Sequence, residues 1–314
     1  MNSINFESKI QHALAQRDYD TALELYADWN ASLTVNATQW PAVHRQNAGS
    51  LARKRLYDLV RPFIGKSARN LAALENFVGL RSVPFANPLQ QPSFFYFPGL
   101  RAQPFYSLED FCELNSLLSV VGRSFSQLQA PVNEHAVSYV DHIGSVPQQA
   151  QWQDLRHTWQ AQHLITGGKR QPASEAFPTE FLDCFKHDLI PNCPPFAPEV
   201  FISVLESDAY IPPHYGISNV KLTAHIPLCV SDKAWLKAGD EVFTWSDDAK
   251  VMIFDDSFLH SAKNAATTTR SVLIFDLWHP DLSVEERQFV QHFMRIYSSW
   301  EPRFGQLAGL DKES

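Results

Sequence analysis

Cysteine is scarce in this chain. Four occur in 314 residues, Cys112, Cys184, Cys193 and Cys229, and none forms a CxxC pair. That spacing excludes a zinc knuckle. Free thiols are the expectation in a reducing compartment, with Cys184 and Cys193 the pair near enough in sequence to bridge. Positive charge is also in deficit, and the formal net charge is −8. A general nucleic-acid binder needs a basic face, so that class is excluded. No apolar run approaches the roughly 18–20 residues that cross a bilayer, so no membrane span is expected. The opening Met1-Asn2-Ser3-Ile4-Asn5-Phe6-Glu7 lacks the basic and then apolar layout of a signal peptide. A cytoplasmic protein is the expectation.

What is present is a globular composition, 45% hydrophobic and 12% aromatic. Residues 5 to about 80 carry apolar positions at helical spacing, among them Ile10, Ala13, Leu14, Ala22, Leu23 and Tyr26. Asp18–Tyr26 resembles one unit of a helical-hairpin repeat, and no second copy is evident. A helical cap is expected rather than a repeat array. Residues 82–106 are rich in proline and aromatics, which predicts a linker entering a first strand at Phe94–Phe97. Further helices are predicted over Leu108–Val121, over Trp152–His163 with Gly167-Gly168 as its stop, and over Thr179–His187. Residues 123–150 read as loops.

From Glu199 the texture changes to short alternating segments. Strands are predicted at 201–206, Val220–Val230, Glu241–Trp245, Val251–Phe254 and Ser271–Trp278. An amphipathic helix follows over Val284–Trp300, with Ser283 as N-cap and Glu285-Glu286 in its first turn. Short strands with loops between them suggest a sandwich or jelly roll. The predicted architecture is a mainly β core with an N-terminal helical region over residues 1–85 and a β domain over residues 90–300.

Within that β texture, His214 follows two prolines and His260 follows the strand ending Phe254-Asp255-Asp256. Imidazole suits iron, copper, nickel and zinc, and two histidines on facing strands can share one ion. Alone, each is more often a satisfied or surface histidine. Arg270 heads an apolar run and shares a strand face with Val272, Ile274, Asp276 and Trp278. A charge on an inward face needs an anionic partner, and a guanidinium grips a carboxylate with two parallel bonds. Lys221, Thr223 and His225 likewise alternate on one face. Asp255 and Asp256 point to opposite faces, so at most one looks inward. A turn, or a bond orienting a histidine, is expected of them rather than metal ligation.

Pro213-His214-Tyr215-Gly216 with Asn219, Phe254-Asp255-Asp256-Ser257-Phe258-Leu259-His260, and Asp276-Leu277-Trp278-His279-Pro280-Asp281-Leu282 together resemble the aspartyl/asparaginyl β-hydroxylase family. Tyr96–Pro104 resembles the family's entry segment. The resemblance implies a double-stranded β-helix (jelly roll) and an Fe(II)- and 2-oxoglutarate-dependent dioxygenase consuming O2. It implies His214 and His260 as iron ligands, Arg270 and Ser203 at the distal carboxylate of 2-oxoglutarate, and His225 near the carboxylate that chelates iron. Gly216 stands where most enzymes of this chemistry carry a carboxylate ligand, and the family also has glycine there. Thr223 departs from an arginine in the family's animal members, and Lys221 on the same face is the candidate replacement.

The expected reaction is hydroxylation of a C–H bond, at the β-carbon of an aspartyl or asparaginyl residue or another amino-acid position, peptide, carrier-bound or free. The N-terminal helices could present such a partner. Two readings stay open beside it. One is a non-catalytic jelly roll that binds a small acid or metal; the other is a related halogenase that uses the space at Gly216 for chloride.

Overall fold

The structure, a computed structural model, describes residues 3–32, 40–129, 135–143, 150–245 and 251–311. It divides the chain into two compact units, one formed by Met1–Ser82 with His292–Ser314 and the other by Val83–Gln291.

The first unit is helical, as its 3.6-residue periodicity predicts. It contains α1 (Ser3–Ala15), α2 (Tyr19–Ser32), α3 (Ala42–Val60) and α4 (Ala68–Phe77). Ile10, Ala22, Leu23, Tyr26, Ala52, Leu56 and Leu74 are buried, which places one apolar stripe of each helix inside. The Tyr26 hydroxyl meets His44 Nδ1 at 3.1 Å, and His44 Nε2 meets Glu7 at 2.8 Å. One polar chain thus ties three helices together.

The second unit holds twelve strands among its described residues: β1 (Phe105–Tyr106), β2 (Val137–Ser138), β3 (Trp159–Thr166), β4 (Lys169–Arg170), β5 (Val200–Leu205), β6 (Tyr210–His214), β7 (Lys221–Cys229), β8 (Ala234–Ala238), β9 (Glu241–Thr244), β10 (Met252–Phe254), β11 (His260–Asn264) and β12 (Arg270–Trp278). An eight-stranded sheet runs β1-β10-β7-β12-β5-β3-β2 with β4 on β3, and a four-stranded sheet runs β6-β11-β8-β9. Every pairing between these strands is antiparallel. This is the double-stranded β-helix, or jelly roll.

The larger sheet is buried on both faces. Its outward side chains, such as Ile202, Val204, Leu222, Ala224, Leu273 and Phe275, join one core with Leu114, Leu117 and Phe181. Leu114 and Leu117 lie on α5 (Leu114–Arg123); the short α6 (Phe125–Leu128) follows it, and Phe181 lies on α9 (Thr179–Asp183). The inward side chains Phe201, Leu205, Val272 and Ile274 join a second core with Ile211, Leu236 and Ala262 of the smaller sheet. Double burial explains why β5 is buried at every position and, Ser203 apart, apolar rather than alternating.

Several predicted boundaries move. Phe94–Phe97 is not the first strand; Phe95 makes only an isolated bridge to Ser218. Flanking prolines remove ladder donors, and the Asn219 side chain instead takes both Phe97 backbone groups, at 2.8 Å each. The segment from Leu108 breaks into a 3-10 turn at Leu108–Asp110, closed by a Ser107/Asp110 capping box, before α5. The helix predicted over Trp152–His163 stops early: α8 (Ala150–Thr158) gives way to β3, whose Trp159 and Ala161 face Leu205 and Ser203. Tertiary pairing overrides helical spacing there. Gly167 and Gly168 take positive φ, 55° and 78°, and make the two-residue turn into β4 rather than a helix stop. Thr179–His187 shortens to α9 with a 3-10 turn at Cys184–Lys186. The loop region contains α6, β2 and α7 (Tyr139–Ile143), and residues 130–134 and 144–149 of it lie outside the described residues. The last helix, α10 (Val284–Ala308), continues past Trp300. Ser283 caps it as predicted, exchanging backbone-to-side-chain bonds with Glu286.

Candidate metal and carboxylate site

The two histidines meet. β6 and β11 are adjacent, His214 and His260 stand opposite in the ladder, and their ring centroids lie 4.0 Å apart. Each ring is oriented by its own backbone. His214 Nδ1 lies 2.9 Å from the Pro212 carbonyl and His260 Nδ1 2.9 Å from the Phe258 carbonyl. A carbonyl only accepts, so both protons sit on Nδ1 and both Nε2 atoms keep a lone pair. Burial lowers His214 to about 3, helped by His260, and lowers His260 to about 4. Two neutral, fixed imidazoles with free Nε2 lone pairs are suited to hold one divalent ion of the imidazole-preferring type.

A third protein ligand is not assembled: among the described residues no group of three His, Cys, Asp or Glu converges on one point. Gly216 explains part of this. A Cβ there would meet Asp256 Cγ at 2.4 Å and its oxygens at 2.5 and 2.7 Å. The Asp256 carboxylate therefore fills the space beside residue 216, and any side chain at 216 would displace it. Its Oδ2 accepts from Thr223 Oγ1 at 3.4 Å, while its buried Oδ1 has no partner among the described residues.

The inner face of the larger sheet carries the remaining residues. Register places Val272 opposite Ser203, Ile274 opposite His225, Asp276 opposite Thr223, and Trp278 opposite Lys221. The alternation read from the sequence therefore holds for both β7 and β12. Arg270 is 3% exposed, and among the described residues no carboxylate pairs with it. Burial lowers it to about 10, so it remains a cation at neutral pH. Its guanidinium lies 4.7 Å from the Trp245 ring centroid, and Nη2 lies 3.3 Å from His225 Nδ1. Arginine only donates, so His225 Nδ1 accepts and its Nε2 carries the proton. Burial and Arg270 hold His225 well below its usual range. Ser203 is buried nearby on β5 and accepts from Trp159 Nε1 at 3.1 Å.

Lys221 differs from its expected role. Its Nζ lies 2.7 Å from Asp276 and 3.6 Å from Asp256. Burial works against its charge, but Asp256 and Asp276 more than offset this and hold it above the ordinary lysine range. It is already paired twice, so its charge is engaged within the protein. Asp255, by contrast, has partners other than those of Asp256. It is bound by Gln90 at 2.7 Å and by Ser257, and burial raises it to about 7.

Sequence reasoning missed several residues. Trp245, Trp159 and Tyr139 sit on inner surfaces, and Trp152 packs edge-on at 5.4 Å against His214. The Tyr139 hydroxyl, pushed up by burial, feels Lys221, Glu199, Asp256 and Asp276. The aromatics carry no local motif.

Among the described residues no helix is long and apolar enough to cross a membrane. The family model described as "Aspartyl/Asparaginyl beta-hydroxylase" matches residues 125–280. Aspartate beta-hydroxylase domain-containing protein 2 of Mus musculus is 25% identical over 207 residues, 64% of this chain and 58% of that protein. Aspartyl/asparaginyl beta-hydroxylase of Mus musculus is 32% identical over 91 residues, covering 29% of this chain and 12% of that protein. An ornithine lipid ester-linked acyl 2-hydroxylase of Rhizobium tropici is 35% identical over 81 residues, 25% of this chain and 28% of that protein. This chain therefore spans little more than half, or much less, of each relative's length. Among solved structures, a 2OG-Fe(II) oxygenase family oxidoreductase from Burkholderia pseudomallei aligns with a TM-score of 0.27 at 13% identity, over 49% of this chain and 90% of that one. The family match contains both histidines, Arg270 and the strands that carry them, and the chain belongs to the aspartyl/asparaginyl β-hydroxylase family.

Proposed function

We propose that this protein is an Fe(II)- and 2-oxoglutarate-dependent dioxygenase that hydroxylates a C–H bond of an amino acid or amino-acid residue. The observation that carries the reading is Arg270: a buried cation that no carboxylate among the described residues pairs with, on the wall that also bears His225 and faces the paired His214 and His260. A buried guanidinium in that state is stabilised by an incoming anion. A dicarboxylate that reaches from Arg270 toward the two histidines meets that need.

His214 and His260 would hold iron(II) through Nε2, each kept in register by its own backbone carbonyl. When bound, iron(II) with 2-oxoglutarate and O2 supplies the oxidising power that attack on an unactivated C–H bond needs. The chain does the rest. Arg270 and Ser203 bind the distal carboxylate, and His225, protonated on Nε2, donates toward the inner one. Asp256 offers its unpartnered Oδ1 beside Gly216 as an acceptor for a water or a substrate N–H. The aromatic lining of Trp152, Trp159 and Phe254 excludes bulk water.

The far end of the wall narrows the substrate. Asp256 and Asp276 exceed Lys221 in charge, and Lys221 is engaged. A neutral or hydrogen-bond-donating target, such as an asparaginyl side chain, fits this end better than an aspartyl carboxylate.

An anaerobic titration of the apoprotein with iron(II) and then 2-oxoglutarate tests the reading, following the weak visible charge-transfer band of the chelate. The band should form in the wild type and vanish in His214→Ala. Its absence from well-folded wild-type protein would replace this reading by a non-catalytic binding module.

A further inference from the structure

We infer that Trp245 is a positioning residue for Arg270: its ring face serves as the counter-surface of a buried guanidinium and so sets how tightly the site grips a dicarboxylate. The inference rests on the preceding reading that Arg270 receives the distal carboxylate of 2-oxoglutarate.

Arg270 and Trp245 are 3% and 1% exposed. A cation so buried needs compensation, and among the described residues no carboxylate gives it. Four observations show how it is held. The guanidinium carbon lies 4.7 Å from the indole centroid, within the range of a cation–π contact. The indole Nε1 is buried and makes no hydrogen bond among the described residues, so nothing there places the ring by its polar edge. Arg270 Nε is likewise buried without an acceptor among the described residues, so no described group spends that donor. Finally, Nη2 is directed to His225 Nδ1 at 3.3 Å. The ring stabilises the charge while using none of the donors in the guanidinium plane. A carboxylate partner in place of Trp245 would consume those donors and neutralise the cation before ligand arrived. An aliphatic one would leave the charge uncompensated and free to turn. The aromatic face keeps Arg270 charged, oriented and available.

Phe243 packs against Trp245 at 5.4 Å in a T-shaped contact, which holds the plate itself. Phe243 lies on β9 and Trp245 directly follows it, on the side of the smaller sheet, whereas Arg270 opens β12 on the larger one. The clamp therefore forms only when the two sheets face each other.

The experiment measures 2-oxoglutarate binding to manganese-loaded protein by calorimetry, without turnover. Trp245→Leu is expected to weaken binding by about thirtyfold, the scale of a desolvated cation–π contact, and Trp245→Phe by less. Because Trp245 is buried, a second series avoids its removal. The protein is produced with 5-fluoro- and then difluorotryptophan, which preserve shape and drain negative charge from the ring face. Affinity should fall stepwise with fluorination in the wild type and stay unchanged with fluorination in Trp245→Phe. No fluorine dependence in the wild type, or the same dependence in Trp245→Phe, would overturn the role of Trp245 while leaving the oxygenase reading in place. If manganese-loaded wild type bound no 2-oxoglutarate, the dicarboxylate reading would fall and this inference with it.

Discussion

The two ends of the inner wall solve the problem of a buried cation in opposite ways. At one end Arg270 has no carboxylate among the described residues and rests on the face of Trp245. At the other, Lys221 is held by Asp276 at 2.7 Å and by Asp256 at 3.6 Å. Arg270 opens β12 and Asp276 stands six positions on, which is about 20 Å of strand. The first cation is left in want of an anion, and the second is finished. The difference marks where a ligand charge belongs. An anion entering at Arg270 completes a pair, whereas one entering at Lys221 must compete with two carboxylates already in place.

The largest expected effect of breaking this contrast is at Arg270. Arg270→Ala should weaken 2-oxoglutarate binding at least about thirtyfold, since truncating a buried charged partner costs about 2–5 kcal/mol. Manganese affinity in the absence of 2-oxoglutarate should stay within about threefold of wild type, because the histidines lie on the other sheet. Calorimetry of both ligands reads this. Equal loss of both would mean that Arg270 supports the fold rather than the ligand.

Asp276→Asn acts at the other end and on stability first. Lys221 and Asp276 side chains are 15% and 4% exposed, so the pair is well buried. Losing one partner of such a pair costs about 3–5 kcal/mol, and the remaining Asp256 contact favours the lower figure. A fall in Tm on the order of 10 °C is expected for a unit of this size. Lys221→Met in the same chain should recover part of it by removing the stranded charge. An unchanged Tm in Asp276→Asn would show that Asp256 alone neutralises Lys221.

The smallest effect is a pH dependence set by the other aspartate of the Asp255-Asp256 pair. Burial raises Asp255 to about 7 in the folded chain, above its unfolded value near 3.8. The folded state thus holds this proton more tightly than the unfolded state does. That contribution to stability is complete below about pH 4, and it is lost as pH rises through about 7. His214 and His260 work in the opposite sense, being lowered to about 3 and 4. Their contribution is present above about pH 6.5 and is lost as pH falls through about 4. Denaturant midpoints measured from pH 5 to 8 should lose their downward Asp255 component in Asp255→Asn. A midpoint profile identical in wild type and variant would count against a protonated Asp255.

Much of the site was legible in the sequence. His214, His260, Arg270 and His225 lie where local patterns point, two prolines, the segment after a strand, and period-two alternation, whereas Ser203 is singled out by the family resemblance alone. Lys221 was legible as inward-facing but not as engaged, because its partners come from β12 and from the segment after β10. Boundaries failed where long-range pairing overrode local spacing. Trp159–His163 reads as helix by its apolar positions, yet it lies beside β5 and becomes strand. Phe94–Phe97 reads as strand, yet Asn219 takes its backbone groups.

The sequence by itself determined the chemistry on offer: which side chains alternate inward, that residue 216 has nothing to contribute as a ligand, and that residue 223 carries no charge. The tertiary structure decided which charges remain uncompensated. That depends on pairs such as Arg270 with Trp245 and Lys221 with Asp276, whose members are brought together only by strand register and by the facing of two sheets. Local periodicity fixes the direction of a side chain, but the free energy of a buried charge depends on what stands opposite it.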